Sequence, residues 1–131
     1  MHVLITGGAG FLGRHLSKAL INESYQVTVL DNLSTGNLQN LISIPSKGTF
    51  RFVKGDIRSQ SIVREAMRDV ETVIHLAAVV SVPYSVMHPQ ETYDVNVDGT
   101  RNLSRSSVES NVERFIYVSS CAVYGEPRYL L

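Results

Sequence analysis

Between the apolar run His2–Thr6 and a stretch, Phe11–Ile21, whose apolar positions recur at helical spacing lies Gly7-Gly8-Ala9-Gly10-Phe11-Leu12-Gly13. Gly7, Gly10 and Gly13 stand three residues apart at this junction. Such spacing predicts a strand that turns sharply into a helix, because residues without a side chain allow a tight turn and let the backbone come close to whatever lies beside it. A chain that opens this way is restricted to a small set of folds.

The rest of the chain repeats the alternation. Further runs at Gln26–Leu30, Phe50–Lys54, Thr72–Leu76 and Arg114–Ser119 are rich in Val, Ile and Phe. Most are apolar at consecutive positions, which suits strands covered on both faces. Between them, Asn37–Ile44 reads as a short helix ended by Pro45, and Gln60–Arg68 places Ile62, Val63, Ala66 and Met67 on one stripe. Pro89 is suited to the first turn of a long helix reaching about Glu109. Strands alternating with helices imply parallel pairing through right-handed crossovers. The expected fold is therefore α/β: a doubly wound, Rossmann-like parallel sheet of five strands in the order 3-2-1-4-5, with 1–131 as a single partial domain. The topological switch point falls between strands 1 and 4, so a ligand should sit where Gly7–Gly13 and Leu76–Ser81 leave the sheet.

Composition narrows the function. With 12 basic and 12 acidic residues the chain has no net charge to draw it to nucleic acid or to an anionic membrane surface. Cys121 is the only cysteine, which excludes an internal disulfide, and the four histidines show no metal-ligand spacing, so no metal site is expected. No run approaches the roughly 20 apolar residues that cross a bilayer. A cytoplasmic location is the expectation.

Asp31 closes the second strand 18 residues beyond Gly13, where an acid can accept both hydroxyls of a ribose and repel a 2′-phosphate. The loop followed by this acid reads as a site for an adenine dinucleotide, NAD rather than NADP.

Further blocks follow in order: Asp31-Asn32-Leu33-Ser34-Thr35-Gly36, Gly55-Asp56-Ile57-Arg58, His75-Leu76-Ala77-Ala78, Asn96-Val97-Asp98-Gly99-Thr100 and Ser119-Ser120-Cys121-Ala122-Val123-Tyr124-Gly125. Together they resemble the extended short-chain dehydrogenase/reductase family, of the NAD-dependent nucleotide-sugar epimerase/dehydratase type. The resemblance implies a cofactor site made of Gly7, Gly10, Phe11, Leu12, Gly13, Asp31, Asn32, Ser34, Thr35, Gly36, Asp56, Ile57, Leu76, Ala77, Ala78, Asn96 and Ser119. Within it, Asp56 would take the adenine amino group, and Asn96 would hold the cofactor wall or the strand-end backbone. Ser120 aligns with the family's catalytic Ser/Thr, which shares a proton with a tyrosine base, while Ser81, Val82 and Ser85 would border the substrate. The resemblance also implies a nucleotide-sugar substrate, most plainly a UDP-hexose passing through a 4-keto intermediate, and a homodimer.

The positions after Ser120 are Cys121 and Ala122, where the family's dehydratases usually carry an Asp-Glu pair, so epimerase or simple oxidoreductase chemistry is favoured. Cys121 itself reads as a small packing residue, and Tyr84, Tyr93 and Tyr124 as phenols capping core edges. The family's Tyr-x-x-x-Lys does not occur in the 131 residues. The chain therefore reads as an N-terminal portion, inactive by itself. Another carbonyl reductase or dehydrogenase of the family, or a non-catalytic dinucleotide-binding module, stand as the alternatives.

Overall fold

The computed structural model describes residues 1–42, 44 and 49–125. Five strands form one sheet: β1 (His2–Thr6), β2 (Gln26–Asp31), β3 (Phe50–Lys54), β4 (Thr72–His75) and β5 (Arg114–Tyr117). All neighbours pair in parallel, in the order β3-β2-β1-β4-β5, with Val3 opposite Val27 on one side and Thr72 on the other. The doubly wound sheet is as expected, and the central strands are apolar on both faces because both faces are covered.

The two faces make two cores. On one, α1 (Phe11–Asn22) covers a layer that includes Val3, Ile5, Val27 and Val29. On the other, α3 (Gln60–Ala66) and α6 (Thr100–Glu109) cover Leu4, Leu30, Val53 and Val73, with Met67 and Leu103 among the fully buried side chains. Burial of each such side chain contributes roughly 1.5–3 kcal/mol.

Three segments depart from expectation. The Asn37–Ile44 helix is only one turn, α2 (Gln39–Ile42), and Pro45 lies outside the described residues. An additional helix, α4 (Val82–Met87), follows β4; Ser81 caps it by accepting the Tyr84 N–H at 3.3 Å, and Pro83 stands in its first turn. It buries no residue, Val82, Val86 and Met87 all being exposed, and its six residues are too short a window to establish a helical period. The long helix from Pro89 is interrupted. It runs as α5 (Pro89–Tyr93), a π-helical segment Asp94–Gly99 and then α6. Gly99 lies at the close of the widened turn, and a Cβ there would stand 2.7 Å from Ile57. π segments of this kind often mark functional positions, and this one carries Asn96. No helix among the described residues is long and apolar enough to cross a membrane.

Candidate functional site

The glycine loop leaves β1 and reverses into α1. Gly7 has φ +70, and a Cβ there would lie 2.8 Å from the Ala77 nitrogen; the position needs glycine on both counts. Gly13 closes α1 onto its own loop, where a Cβ would stand 2.4 Å from Gly8 Cα and 2.6 Å from the Gly7 carbonyl oxygen. Contact with the sheet falls to Gly8, whose Cβ would strike Val29 of β2 at 2.6 Å. A period-three reading of the glycines passes over Gly8.

Helix α1 begins without a side-chain cap. Its first N–H groups, at Phe11 and Leu12, have no intrahelical acceptor and face outward with the positive end of the helix dipole. Phe11 is 75% exposed and Leu12 55%, an apolar cost at the helix start that a covering ligand would remove.

Asp31 is buried at the end of β2. Its Oδ2 accepts the Ala9 N–H at 2.9 Å and its Oδ1 accepts the Leu33 N–H at 2.8 Å. Each oxygen therefore retains an acceptor direction, and both are oriented by backbone rather than by a cation.

Asp56 differs. One oxygen accepts the backbone N–H and Nε–H of Arg58, both at 2.9 Å; the other accepts Arg58 Nη2 at 2.8 Å and Asn32 Nδ2 at 3.0 Å. These fill the roughly four acceptor directions of a carboxylate. The Arg58 guanidinium holds the Asp56 carboxyl at a pKa of about 2, against the opposing effect of partial burial. An adenine amino group could be accepted only by displacing one of these donors, so Asp56 ties the wall together rather than standing free as an acceptor. Ile57 is buried beside it.

Asn96 does what an inward polar residue on a helix can do best. Its Oδ1 accepts the Val79 N–H at 2.8 Å and its Nδ2 donates to the Val79 carbonyl at 2.9 Å, so one side chain holds the strand exit after β4 from both sides.

A buried hydrogen-bond chain joins this helix to β1. Thr100 Oγ1 donates to the Asn96 carbonyl at 2.7 Å, which leaves it to accept His75 Nε2–H at 2.8 Å. His75 Nδ1 then accepts the Thr6 hydroxyl at 2.6 Å, and Thr6 Oγ1 accepts the Ala77 N–H at 3.2 Å. Every member has one consistent direction, which assigns the neutral Nε2–H tautomer. Sequence reasoning placed His75 in a motif without giving it a role; a single histidine at the end of a buried strand was the available signal.

Burial pushes the His75 pKa down from 6.5 to about 4. Between those values the unfolded chain binds more protons than the folded one, so stability falls as pH drops through 6.5 and the whole term is gone below about 4. The full difference is roughly 3 kcal/mol. Thermal melts between neutral pH and about pH 5 should show this decline, and His75→Asn should flatten it. An unchanged slope in the variant would show that His75 is not the group responsible.

These residues line two pockets that meet along the strand ends. The larger, about 670 Å³, is bounded by the glycine loop, Leu76, Ala77, Ala78, Ser81, Val82, Ser85, Asn96, Ser119 and Ser120. The smaller, about 220 Å³, holds Asp31, Asn32, Ser34, Thr35, Gly36, Asp56 and Ile57. Gly7, Gly10 and the Leu76–Val80 segment border both. The two occupy the expected crevice at the switch point, between the exits of β1 and β4.

At the far end, Ser120 caps the 3₁₀ turn Cys121–Tyr124, its Oγ accepting the Ala122 N–H at 3.2 Å. The hydroxyl donates to no acceptor among the described residues, and Ser120 lines the larger pocket. Ser85 differs, donating its proton to the Val82 carbonyl at 2.8 Å. Two expectations are corrected here. Cys121, in the 3₁₀ turn, is exposed rather than packed. The tyrosines do not cap the core: Tyr93 and Tyr124 are exposed, and Tyr84 donates to Glu91 at 2.6 Å, a bond that raises its pKa and keeps the phenol protonated.

The family profile described as "NAD dependent epimerase/dehydratase family" matches residues 3–129. The UDP-glucose 4-epimerase sequence of Klebsiella pneumoniae is 38% identical over 96% of this chain and 94% of its own length. Among solved structures, the UDP-glucose 4-epimerase of Bifidobacterium longum in complex with NAD+ and UDP superposes with a TM-score of 0.90 at 33% identity, covering 99% of this chain and 40% of that one. The dTDP-glucose 4,6-dehydratase of Streptomyces venezuelae, solved with NAD bound, gives 0.91 at 35% identity, covering 98% of this chain and 42% of its own. The chain spans 41, 30 and 32% of the length of three other curated relatives that it matches.

Proposed function

Because the chain belongs to the NAD dependent epimerase/dehydratase family, we propose that it forms the cofactor-binding portion of an NAD-dependent nucleotide-sugar 4-epimerase whose substrate is a UDP-hexose. The observation that carries this is the pair of adjoining pockets that share Gly7, Gly10 and Leu76–Val80: Asp31 lines one, Ser120 the other, and the open start of α1 borders the larger.

The residues fit an adenine dinucleotide. A Cβ on Gly10 would meet only the Gly7 oxygen, at 3.2 Å, and otherwise empty space, so the loop leaves room there for a diphosphate. The uncapped N–H groups of α1 would bind that diphosphate. Asp31 would accept the adenosine ribose hydroxyls with the two acceptor directions its backbone partners leave free. Asn32, Ser34, Thr35, Gly36 and the knot of Asp56 with Arg58 would wall the adenine, while Asn96 fixes the wall on the nicotinamide side through Val79. NAD, when bound, supplies the hydride acceptor and donor that the chemistry requires.

Ser120 would hydrogen-bond the reacting sugar oxygen, since one of its two acceptor directions is taken by the Ala122 N–H and its proton has no acceptor among the described residues. Ser81, Val82 and Ser85 would border the sugar. Cys121 and Ala122 follow where water expulsion would need an acid and a base, which favours an epimerase over a dehydratase despite the equal structural likeness to both.

In the full protein that carries this domain, Ser120→Ala should lower kcat for interconverting UDP-glucose and UDP-galactose by roughly 100-fold, the usual worth of a positioned proton-sharing group. Ser120→Thr should retain most of the rate. An alanine variant with full activity, or a wild-type enzyme without activity on any UDP-hexose, would overturn the assignment.

A further inference from the structure

The Ala9–Gly10 peptide is the last one before the open start of α1, and it is fixed at both ends. Its N–H, on Gly10, donates to the Gly7 carbonyl at 3.1 Å. Its carbonyl, on Ala9, accepts Asn40 Nδ2 at 2.7 Å and the Asn37 N–H at 3.2 Å. Ala9 is fully buried and borders neither pocket, so this carbonyl is held on the side of the loop away from the crevice. Asn40 is itself oriented: its Oδ1 accepts Arg14 Nη1 at 3.2 Å, which requires the amide nitrogen to face Ala9.

We infer that Asn40, aligned by Arg14, is a positioning residue for the diphosphate seat, holding the Ala9 carbonyl away from the space an anion would occupy. This rests on the cofactor reading given above. The physical reason is electrostatic. A carbonyl oxygen carries partial negative charge, and one turned toward the crevice would repel a diphosphate at short range. Glycine itself contributes backbone freedom rather than restraint. The Gly7 carbonyl holds the peptide's N–H from within the loop, the Asn37 N–H holds its carbonyl at 3.2 Å, and Asn40 supplies the shortest bond to that carbonyl, at 2.7 Å. Asn40 touches the loop from behind and would make no contact with the cofactor.

The test compares ligands with and without the diphosphate by calorimetric titration of the full protein. Asn40→Ala and the near-isosteric Asn40→Asp, which keeps the Arg14 contact but cannot donate, should each weaken NAD and ADP about 10-fold, the cost of one lost hydrogen bond to a seat for charge. Adenosine should be unaffected within about 2-fold, because its contacts lie on the Asp31 side. Arg14→Met, which leaves Asn40 in place but unaligned, should give a smaller loss of the same pattern. Variants that bind NAD as tightly as wild type would overturn the inference alone. So would an equal loss for adenosine, which would mean a general loosening of the fold. Wild-type protein that binds neither NAD nor ADP would overturn the cofactor reading and this inference together.

Discussion

Replacing Gly13 by alanine should destabilise the domain by about 3 kcal/mol or more and lower its Tm by roughly 10 °C or more. The added Cβ would sit 2.4 Å from Gly8 Cα, 2.6 Å from the Gly7 oxygen and 2.8 Å from the Gly8 carbonyl carbon. All three are backbone atoms, so no side-chain rotation relieves the clash. Moving α1 away would open the layer of Ile5, Val27 and Val29 beneath it, and moving the loop would break the Gly7 N–H bond to the Leu30 carbonyl. Gly10→Ala is the control. Gly10 has φ −77, which any residue adopts, and its Cβ meets only one atom, at 3.2 Å. That variant should melt within a few degrees of wild type yet lose cofactor affinity, since the methyl group enters the space proposed for the diphosphate. Differential scanning calorimetry separates the two. Equal melting temperatures for Gly13→Ala and wild type would show that the loop is not packed as described.

The contrast between these glycines shows what was legible in the sequence. Strand order, the switch point and Asp31 could be read because apolar runs, helical periodicity and motif spacing are local signals that the sheet then obeys. Gly8 could not be, since its constraint comes from Val29, a neighbour only once β1 and β2 pair. The state of Asp56 depends on a guanidinium two residues on that folds back over its carboxylate; spacing does not show which of two partners an acid will choose. Helix α4 buries nothing and is too short for a helical period to stand out. The π-helical segment changes the face on which Asn96 emerges without changing the composition that marks a helix. Asn40 lies on a one-turn helix whose function is visible only from the carbonyl it meets.

Discrimination against a 2′-phosphate should be the other large effect. Asp31 is buried, and its two oxygens are held in place by the Ala9 and Leu33 N–H groups, so it cannot turn away from an incoming anion. A phosphate at the ribose 2′ position would also lose the hydroxyl that the carboxylate would otherwise accept. Like charges forced together in a partly desolvated site cost several kcal/mol, so NAD should bind about 100-fold more tightly than NADP. Asp31→Asn removes the charge and must turn an amide N–H₂ toward one of the two backbone donors. NAD should then bind roughly 10-fold more weakly, and most of the discrimination should disappear.

The most direct measurement is therefore a paired calorimetric titration of NAD and NADP into the full protein and its Asp31→Asn variant. One NAD site per chain, a strong preference over NADP, and loss of that preference in the variant are expected. Equal affinities for NAD and NADP in the wild-type protein would contradict the placement of the dinucleotide between Asp31 and the start of α1.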